Sequence, residues 1–481
     1  MSTNKVDFIR GEVTRNQPDW NKVDDVVAGE RRIESKGAVY LPKPNAADTS
    51  AENVIRYKAY LERAVFFNAT GRTLEGLIGI AYGRDPEIVL PVALEFLLEN
   101  ADGAGVGLVN QSHRTLESVM KNGRAGLLVD FPAVNETVSK AQQTEQNIRA
   151  KIVQIAAGNI INWRLNSRLE LSLVVIAETV EVPAGFGTDT VEQWRELALG
   201  FRMIMPEGEI DNQLKYVVRI WRKDQDKKLF IFSEIVPKDS AGQVMNLIPF
   251  TFAGAIDNNC TVDKSPILDL TCLNIGHYRN SADYEESVFF VGQPTHVFSG
   301  LTQQWVEDVW KDAVYVGSRA AVPLPVGGSA SMLQAAPNTL ARDAMTSKEG
   351  QMVALGARLL THGEAIKTAE QSRSETAASH SVLSLASDNV SAAYTKALSW
   401  AAQFTRKADG DVSFLINTDF IGLMADSNLV TAIVGSWQSG AIPTSDKNAA
   451  LRLIGLIKRD KTDEAIAEEL DTEGAGLGLD E

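Results

Sequence analysis

Leu169-Glu170-Leu171-Ser172-Leu173-Val174-Val175 opens by alternating apolar and polar side chains, the period-two pattern of a half-buried strand. Tyr216, Val218 and Ile220 alternate in the same way, and 229–235 reads as a further strand. Pro266-Ile267-Leu268-Asp269-Leu270 then changes the period. Proline suits a first helical turn, and a helix is predicted over 267–288, closed before Gly292-Gln293-Pro294. On the other side of the strands, Ile148, Ile152 and Ile155 stand at i, i+4 and i+7, which predicts a long helix over 139–159. That isoleucine stripe suits a core or a neighbouring subunit equally. The order is helix, β-rich insert, helix, and such an insert can project as a small lobe of its own.

Outward from this centre the chain is mainly helical. Residues 1–50 are polar, with scattered prolines and charges, and read as an extended arm. Helices are predicted over 53–68, across Leu74 to Ala81 after a break at Thr70-Gly71, over 92–98 and over 112–120. A short buried strand follows at Gly126-Leu127-Leu128-Val129-Asp130. Residues 196–205 fit strand or helix. Beyond the insert, helices are predicted over 338–360, 369–404, 427–439 and 446–458, the last capped by Ser445. A strand pair is expected near 411–421. Residues 460–481 hold nine acids and one lysine, and the end from Gly474 onward is expected to be disordered.

The chain has 481 residues and a formal charge of −15, too acidic to grip nucleic acid over a wide surface. Its two cysteines, Cys260 and Cys272, allow no disulfide framework, and no apolar run is long enough to cross a membrane. No phosphate loop, HExxH or GxSxG motif is present. Gly103-Ala104-Gly105-Val106-Gly107 lacks the dinucleotide spacing and reads as a bend. The histidines, His113, His277, His296, His362 and His380, show no metal-binding spacing. The expectation is a structural or assembly protein with no catalytic residues, no metal and no cofactor. The alternative is a hydrolase or transferase with an unrecognised active site. Within the acidic chain, 215–228 carries six basic residues against two acidic ones. This is either a solvated strand face or a contact for DNA or an acidic partner.

Several stretches, taken in order, carry a resemblance. They are Arg63-Ala-Val-Phe-Phe-Asn68 with Thr70-Gly-Arg-Thr73, Gly123-Arg124-Ala-Gly-Leu-Leu-Val-Asp130, and Asn159-Ile-Ile-Asn-Trp-Arg164. Pro266-Ile-Leu-Asp-Leu270 with Leu273-Asn274 and His277-Tyr278 follows, then Gln293-Pro294 through Gly300, and Leu355-Gly-Ala-Arg-Leu359 with Lys367-Thr368-Ala369. Across about 50–460 this ordered set resembles the portal proteins of tailed bacteriophages, in the branch known only as a phage domain of unknown function.

The resemblance implies an α+β, portal-like subunit with a helical wing, a two-helix stem, a β-rich clip insert and a helical C-terminal crown. By that likeness 1–50 is an N-terminal arm, 51–138 the first part of the wing, and 139–166 stem helix 1. The clip and β-rich insert take 167–263, longer than a clip needs, so part of it is an extra lobe, and stem helix 2 takes 264–290. The second part of the wing is 291–424, with a tunnel loop near 360–368 and the long helix 369–404, and 425–481 forms the crown and acidic tail. The implied assembly is a homo-oligomeric ring, a dodecamer, at one capsid vertex of the virion. It would assemble in the host cytoplasm, pass double-stranded DNA during packaging and ejection, and touch that DNA weakly and without sequence preference. Implied partners are the large subunit of a terminase ATPase, a head-tail adaptor, and the major capsid and scaffolding proteins, with no membrane. Lys367 and Arg373 are the candidate DNA-channel residues, unless they pair with Glu364, Glu370 or Glu375 on their own helix. Lys215, Arg219, Arg222, Lys227 and Lys228 are the candidate clip docking surface. A head-tail adaptor ring is a third reading, although such subunits are much shorter.

Overall fold

The computed structural model describes residues 5–131, 149–199, 215–239, 242–292, 295–311, 322–333, 339–360, 381–405, 412–418, 420, 427–453, 457 and 461–474. Helices and strands are mixed along the chain, an α+β arrangement as expected. The chain divides into two units, 1–24, 72–268 and 356–481 in the first, and 25–71 with 269–355 in the second.

Two antiparallel sheets organise the first unit. In the smaller, β2 (Arg124–Asp130) lies between β3 (Lys151–Ala156) and β9 (Phe250–Gly254). The larger is a meander in strict chain order, β4 (Ile160–Leu165), β5 (Leu171–Ala184), β6 (Gly187–Leu199), β7 (Tyr216–Lys223) and β8 (Leu229–Ile235). Their facing side chains make one core, with Leu128, Ile155, Phe250 and Phe252 from the small sheet and Trp163, Val174, Ile176, Leu197 and Val218 from the large. Val13 and Trp20, from the helix α1 (Gly11–Val27), enter the same core. A short pair, β1 (Glu87–Val89) with β12 (Ser413–Leu415), forms a separate sheet, in which the Phe414 N–H donates to Thr395 Oγ1 at 3.0 Å.

Helix α5 (Leu108–Asn122) and the helix α8 (Val382–Thr405) pack on each other and on the small sheet. Helix α8 buries Leu383, Ala386, Val390, Ala393, Ala397 and Ala401, a helical stripe whose small residues allow close approach. Tyr394 of α8, fully buried, shares a hydrogen bond with Thr115 at 2.8 Å and donates to Gln111 Oε1 at 3.3 Å. Helix α5 stops at Gly123, whose φ of +77° is left-handed, and a Cβ there would stand 2.1 Å from the Asp263 carbonyl oxygen. Gly103 and Gly105, also left-handed, form the expected bend, with Asp102 Oδ1 accepting from the N–H groups of Ala104 and Val106.

The second unit packs helices α2 (Glu30–Lys36), α3 (Ala51–Arg63) and most of α6 (Leu268–Gly292) around Ile33, Tyr40, Tyr60, Phe66, Ile275 and Tyr278. Ser50 caps α3 by accepting from the Asn53 N–H. Asn274, buried on α6, accepts from Thr70 N–H and Oγ1, both at 3.0 Å, and donates to the Phe67 carbonyl at 2.7 Å. Asp25 accepts from Tyr40 Oη at 2.7 Å and from Arg32 at 2.6 Å. Part of α7 (Leu340–Leu360) and the strand pair β10 (Thr295–Ser299) and β11 (Ser329–Leu333) belong to this unit as well.

Five expectations need correcting. The helix predicted over 53–68 ends at Arg63, where Ala64 is extended, and Thr70-Gly71, read as a break, lies inside the next helix (α4, Ala69–Ala81), before which Asn68 Oδ1 accepts from the Gly71 N–H at 2.9 Å. Residues 1–50 are helical over Gly11–Val27 and Glu30–Lys36, because apolar residues set among charges, Trp20, Val23, Val26 and Ile33, are all buried. The helix predicted for 139–159, and with it stem helix 1 at 139–166, is strand over Lys151–Ala156 and Ile160–Leu165, while 132–148 lie outside the described residues. β-Branched Ile152, Val153 and Ile155 favour the pleated surface once β2 supplies a partner. Residues 92–98 form a 3-10 helix instead of an α-helix. The helix expected after Ser445 begins at Thr444, so Ser445 lies inside its first turn (α10, Thr444–Leu453). The helix before it, α9 (Ser427–Gln438), falls where predicted, and the acidic tail is helical over Asp463–Gly474 (α11).

Candidate functional site

The basic stretch of the insert lies on β7 and on the turn that follows it. Register sets what each cation does. Arg219 sits opposite Glu196 of β6 and Glu234 of β8. It is 7% exposed and ion-pairs with both carboxylates, and Glu196 also accepts from Trp221 Nε1 at 2.7 Å. Its charge is engaged inside the sheet. Arg222 is half-buried, lies 3.7 Å from the Phe232 ring centroid, and donates to Gln193 Oε1 at 3.0 and 3.2 Å. Lys215 is half-buried at the start of the segment. Lys227 and Lys228 are exposed on the β7–β8 turn, where Asp224 Oδ1 accepts from the Lys228 N–H at 2.8 Å. Of the five candidates, these two present their side chains outward. Arg195 of β6 is likewise tied up: burial works against its charge, but Glu178 at 2.7 Å and Asp130 at 3.6 Å hold its proton more firmly than usual. The channel candidates Lys367 and Arg373 lie outside the described residues.

The two edges of the large sheet differ. On β4, the Ile161 carbonyl accepts from the Arg10 N–H at 3.0 Å and the Trp163 carbonyl from Arg10 Nη1 at 2.8 Å. The segment before α1 thus covers that edge, and Val6 packs against Ile161, Val175 and Trp194. On β8, Phe230, Ile231 and Phe232 are 41, 44 and 55% exposed, beside a bulge that interrupts the pairing.

Strands β5 and β6 outrun their neighbours. Pairing with β4 ends at Ile176 and pairing with β7 begins at Gln193, so 177–192 form a free two-stranded arm. Its tip is the turn between Ala184 and Gly187, with Gly185 at a φ of +63° and Phe186 wholly exposed. At the opposite end of the same strands, a cleft of about 510 Å³ is lined by Leu171, Leu199, Ile248, Phe250, Cys260 and Trp400, with Lys396 also in its wall. Lys396 Nζ stands 5.3 Å from the Trp400 ring centroid, and burial lowers its proton affinity. Two other polar side chains of this wall, Asn258 and Glu170, are engaged in local structure. Asn258 donates to the Asn389 carbonyl and accepts from the Gly254 N–H, and Glu170 accepts from Asn166. Such a wall is built to receive an apolar group.

Sequence reading did not find Phe186 or the cleft. The glycines on either side of Phe186 are the local signal that could have marked a hairpin tip. The cleft joins residues from four separate stretches, and no local pattern marks it. His113 stacks on Tyr82 with ring centroids 3.5 Å apart, and His277 bonds Glu349 at 3.1 Å. Among the described residues no group of three or more His, Cys, Asp or Glu side chains could hold a metal ion, and no helix is long and apolar enough to cross a membrane.

A family model described as Domain of unknown function (DUF4055) matches residues 266–405. No curated protein matches the chain. Among solved structures, the chain is similar to one from the virion of a native gene transfer agent (GTA) particle, with 13% identity, covering 82% of this chain and 92% of that one at a TM-score of 0.41. A chain from the neck of an empty GTA particle is 12% identical, with the same coverage and a TM-score of 0.40. Both neighbours come from GTA particles.

Proposed function

We propose that this chain is a portal subunit: it closes with copies of itself into a ring at one capsid vertex, through which double-stranded DNA is packaged and later ejected. The observation that carries the reading is the order of elements that resembles a portal subunit. An antiparallel insert, Ile160–Ile235, whose arm 177–192 extends beyond the sheet, is followed by a 25-residue helix, and the match to the domain of unknown function begins just before that helix. The strand at 151–165 departs from the two-helix stem that the resemblance implies, so α6 alone is offered as a stem helix.

Charge supports the reading. DNA that must slide cannot be held by many lysine or arginine contacts, since each adds to affinity. A chain with a formal charge of −15, whose Arg195 and Arg219 are engaged by carboxylates of their own sheet, repels phosphate instead. The motor that drives DNA would be a separate terminase ATPase docking on the insert, with Lys227 and Lys228 as its first contacts, and a head-tail adaptor would follow on the same surface. The protein would reside in the virion and perform no chemistry of its own.

Negative-stain images and light scattering of the purified chain test this. Closed rings with a central hole wide enough for duplex DNA are expected. A stable monomer, or turnover of a small molecule, overturns the proposal.

A further inference from the structure

The arm and the cleft of the large sheet are complementary in form and lie at opposite ends of the same two strands. Strand β5 has 14 residues, which at about 3.3 Å per residue puts its ends about 45 Å apart. No single copy can therefore seat its own tip in its own cleft. Phe186 is wholly exposed at the apex of the arm, between two glycines that leave the ring unobstructed. The cleft offers Leu171, Leu199, Ile248, Phe250 and Trp400, with a volume suited to one compact apolar group. Charge agrees with shape. The arm carries Glu181, Asp189 and Glu192, besides Glu178 held by Arg195, and no basic residue, whereas Lys396 lies in the cleft wall, whose own carboxylate, Glu170, accepts from Asn166.

We propose that the arm of one copy inserts Phe186 into the cleft of the next, beside Cys260, with the acidic flanks of the arm facing Lys396. The contact joins unlike surfaces, so it is heterologous and repeats head to tail, the form that a cyclic ring needs. The inference rests on the ring reading and names the contact that closes it. Burying one phenylalanine stabilises each interface, and a closed ring gains one such contact for every copy. A carboxylate brought to Lys396 offsets the burial that lowers its proton affinity.

Cys260 lies in the cleft wall, so the chain supplies half of its own test. The full-length chain carrying Phe186→Cys, with exposed Cys272→Ser to remove the other thiol, is oxidised mildly and run without reductant. Multimers in a ladder, linked through residues 186 and 260 by peptide mapping and abolished by Cys260→Ser, are expected. Rings of the wild type in negative stain, with no ladder from the variant, overturn this inference and leave the ring reading intact. Neither rings of the wild type nor a ladder from the variant overturns both. A ladder that ends at the dimer overturns the head-to-tail geometry. In a second measurement, Phe186→Asp should speed alkylation of Cys260 at least tenfold over the assembled wild type. Equal protection in the dissociated variant would mean that the chain's own residues fill the cleft, and would overturn the proposal.

Discussion

Replacing Arg124 by methionine should leave the first unit as stable as it was, or stabilise it, although it deletes a fully buried charge. Arg124 is 0% exposed. Its guanidinium stacks 4.3 Å from the Trp163 ring centroid and 5.0 Å from that of Phe252, and Nη2 donates to the Ile160 carbonyl at 3.3 Å. Among the described residues, Nε and Nη1 have no acceptor. Burial depresses this group from the ordinary arginine value to about 10. At about 1.4 kcal/mol per tenfold change in proton affinity, folding at neutral pH bears a cost of about 3 kcal/mol. The sign follows from the depressed value: the cost is present below the folded value and is relieved as pH rises through it. Against this stand two cation–π contacts of about 0.5–2 kcal/mol each and one long hydrogen bond of about 1 kcal/mol. Methionine removes the charge, keeps most of the volume, and regains sulfur–aromatic contact of about 0.3–1.5 kcal/mol. The terms nearly cancel, and the expected change is within about 1.5 kcal/mol of zero. Alanine removes the charge too but opens a cavity, and should cost about 3 kcal/mol. Hydrogen exchange of the β2 and β9 amides reads both variants locally. Protection within about tenfold of wild type is expected for Arg124→Met, and a loss of about a hundredfold for Arg124→Ala. If methionine loses as much protection as alanine, the cation is a net stabiliser and the reasoning fails.

Gly123→Ala should cost more than about 2 kcal/mol, because the position is left-handed and the added carbon meets the Asp263 carbonyl oxygen at 2.1 Å; an unchanged melting temperature would refute this. Asp25→Asn should destabilise the second unit at neutral pH by about 1–2 kcal/mol. Burial works against the Asp25 charge, but Tyr40, Arg32 and Lys36 outweigh it and hold the carboxyl below its usual range. That stabilisation is present above the unfolded value and lost as pH falls through the folded one, so denaturation curves of variant and wild type should converge in acid. Charge reversal of Lys227 and Lys228 together should weaken capture of the terminase large subunit at low salt while rings still form, whereas Arg219→Ala should destabilise the sheet itself, as monitored by thermal unfolding. Replacing Lys367 and Arg373 by alanine should lower the DNA content of particles, and an unchanged genome mass would remove both from the channel.

Much of the secondary structure is local, and local patterns report it. Pro266 and the residues after it announce α6, which runs Leu268–Gly292. Alternation at 169–175 and 216–220 announces β5 and β7, and the strand read at 229–235 is β8. Each of these signals needs only neighbours along the chain, since side-chain direction repeats every two residues in a strand and every 3.6 in a helix. The stripe Ile148, Ile152 and Ile155 misleads because its spacing is helical, whereas β-branched residues favour a strand once a partner is present, and there Ile152 and Ile155 fall on opposite faces. Pairing with β2 decides it, with Ile152 opposite Val129 and Ile155 opposite Gly126.

The same division holds for the sites. The sequence by itself determined that the chain is acidic, that a group of its bases clusters at 215–228, and that it holds no phosphate-loop, HExxH or GxSxG motif. Only the tertiary structure decided which of those bases are free to act outward, because Arg219 meets Glu196 and Glu234 solely through strand register. It alone also separated Phe186 from the cleft by the length of β5, gathering the cleft wall from residues as distant as Leu171 and Trp400. The physical reason is that charge and period are properties of a segment, whereas burial and complementarity belong to surfaces that exist only after distant segments have packed.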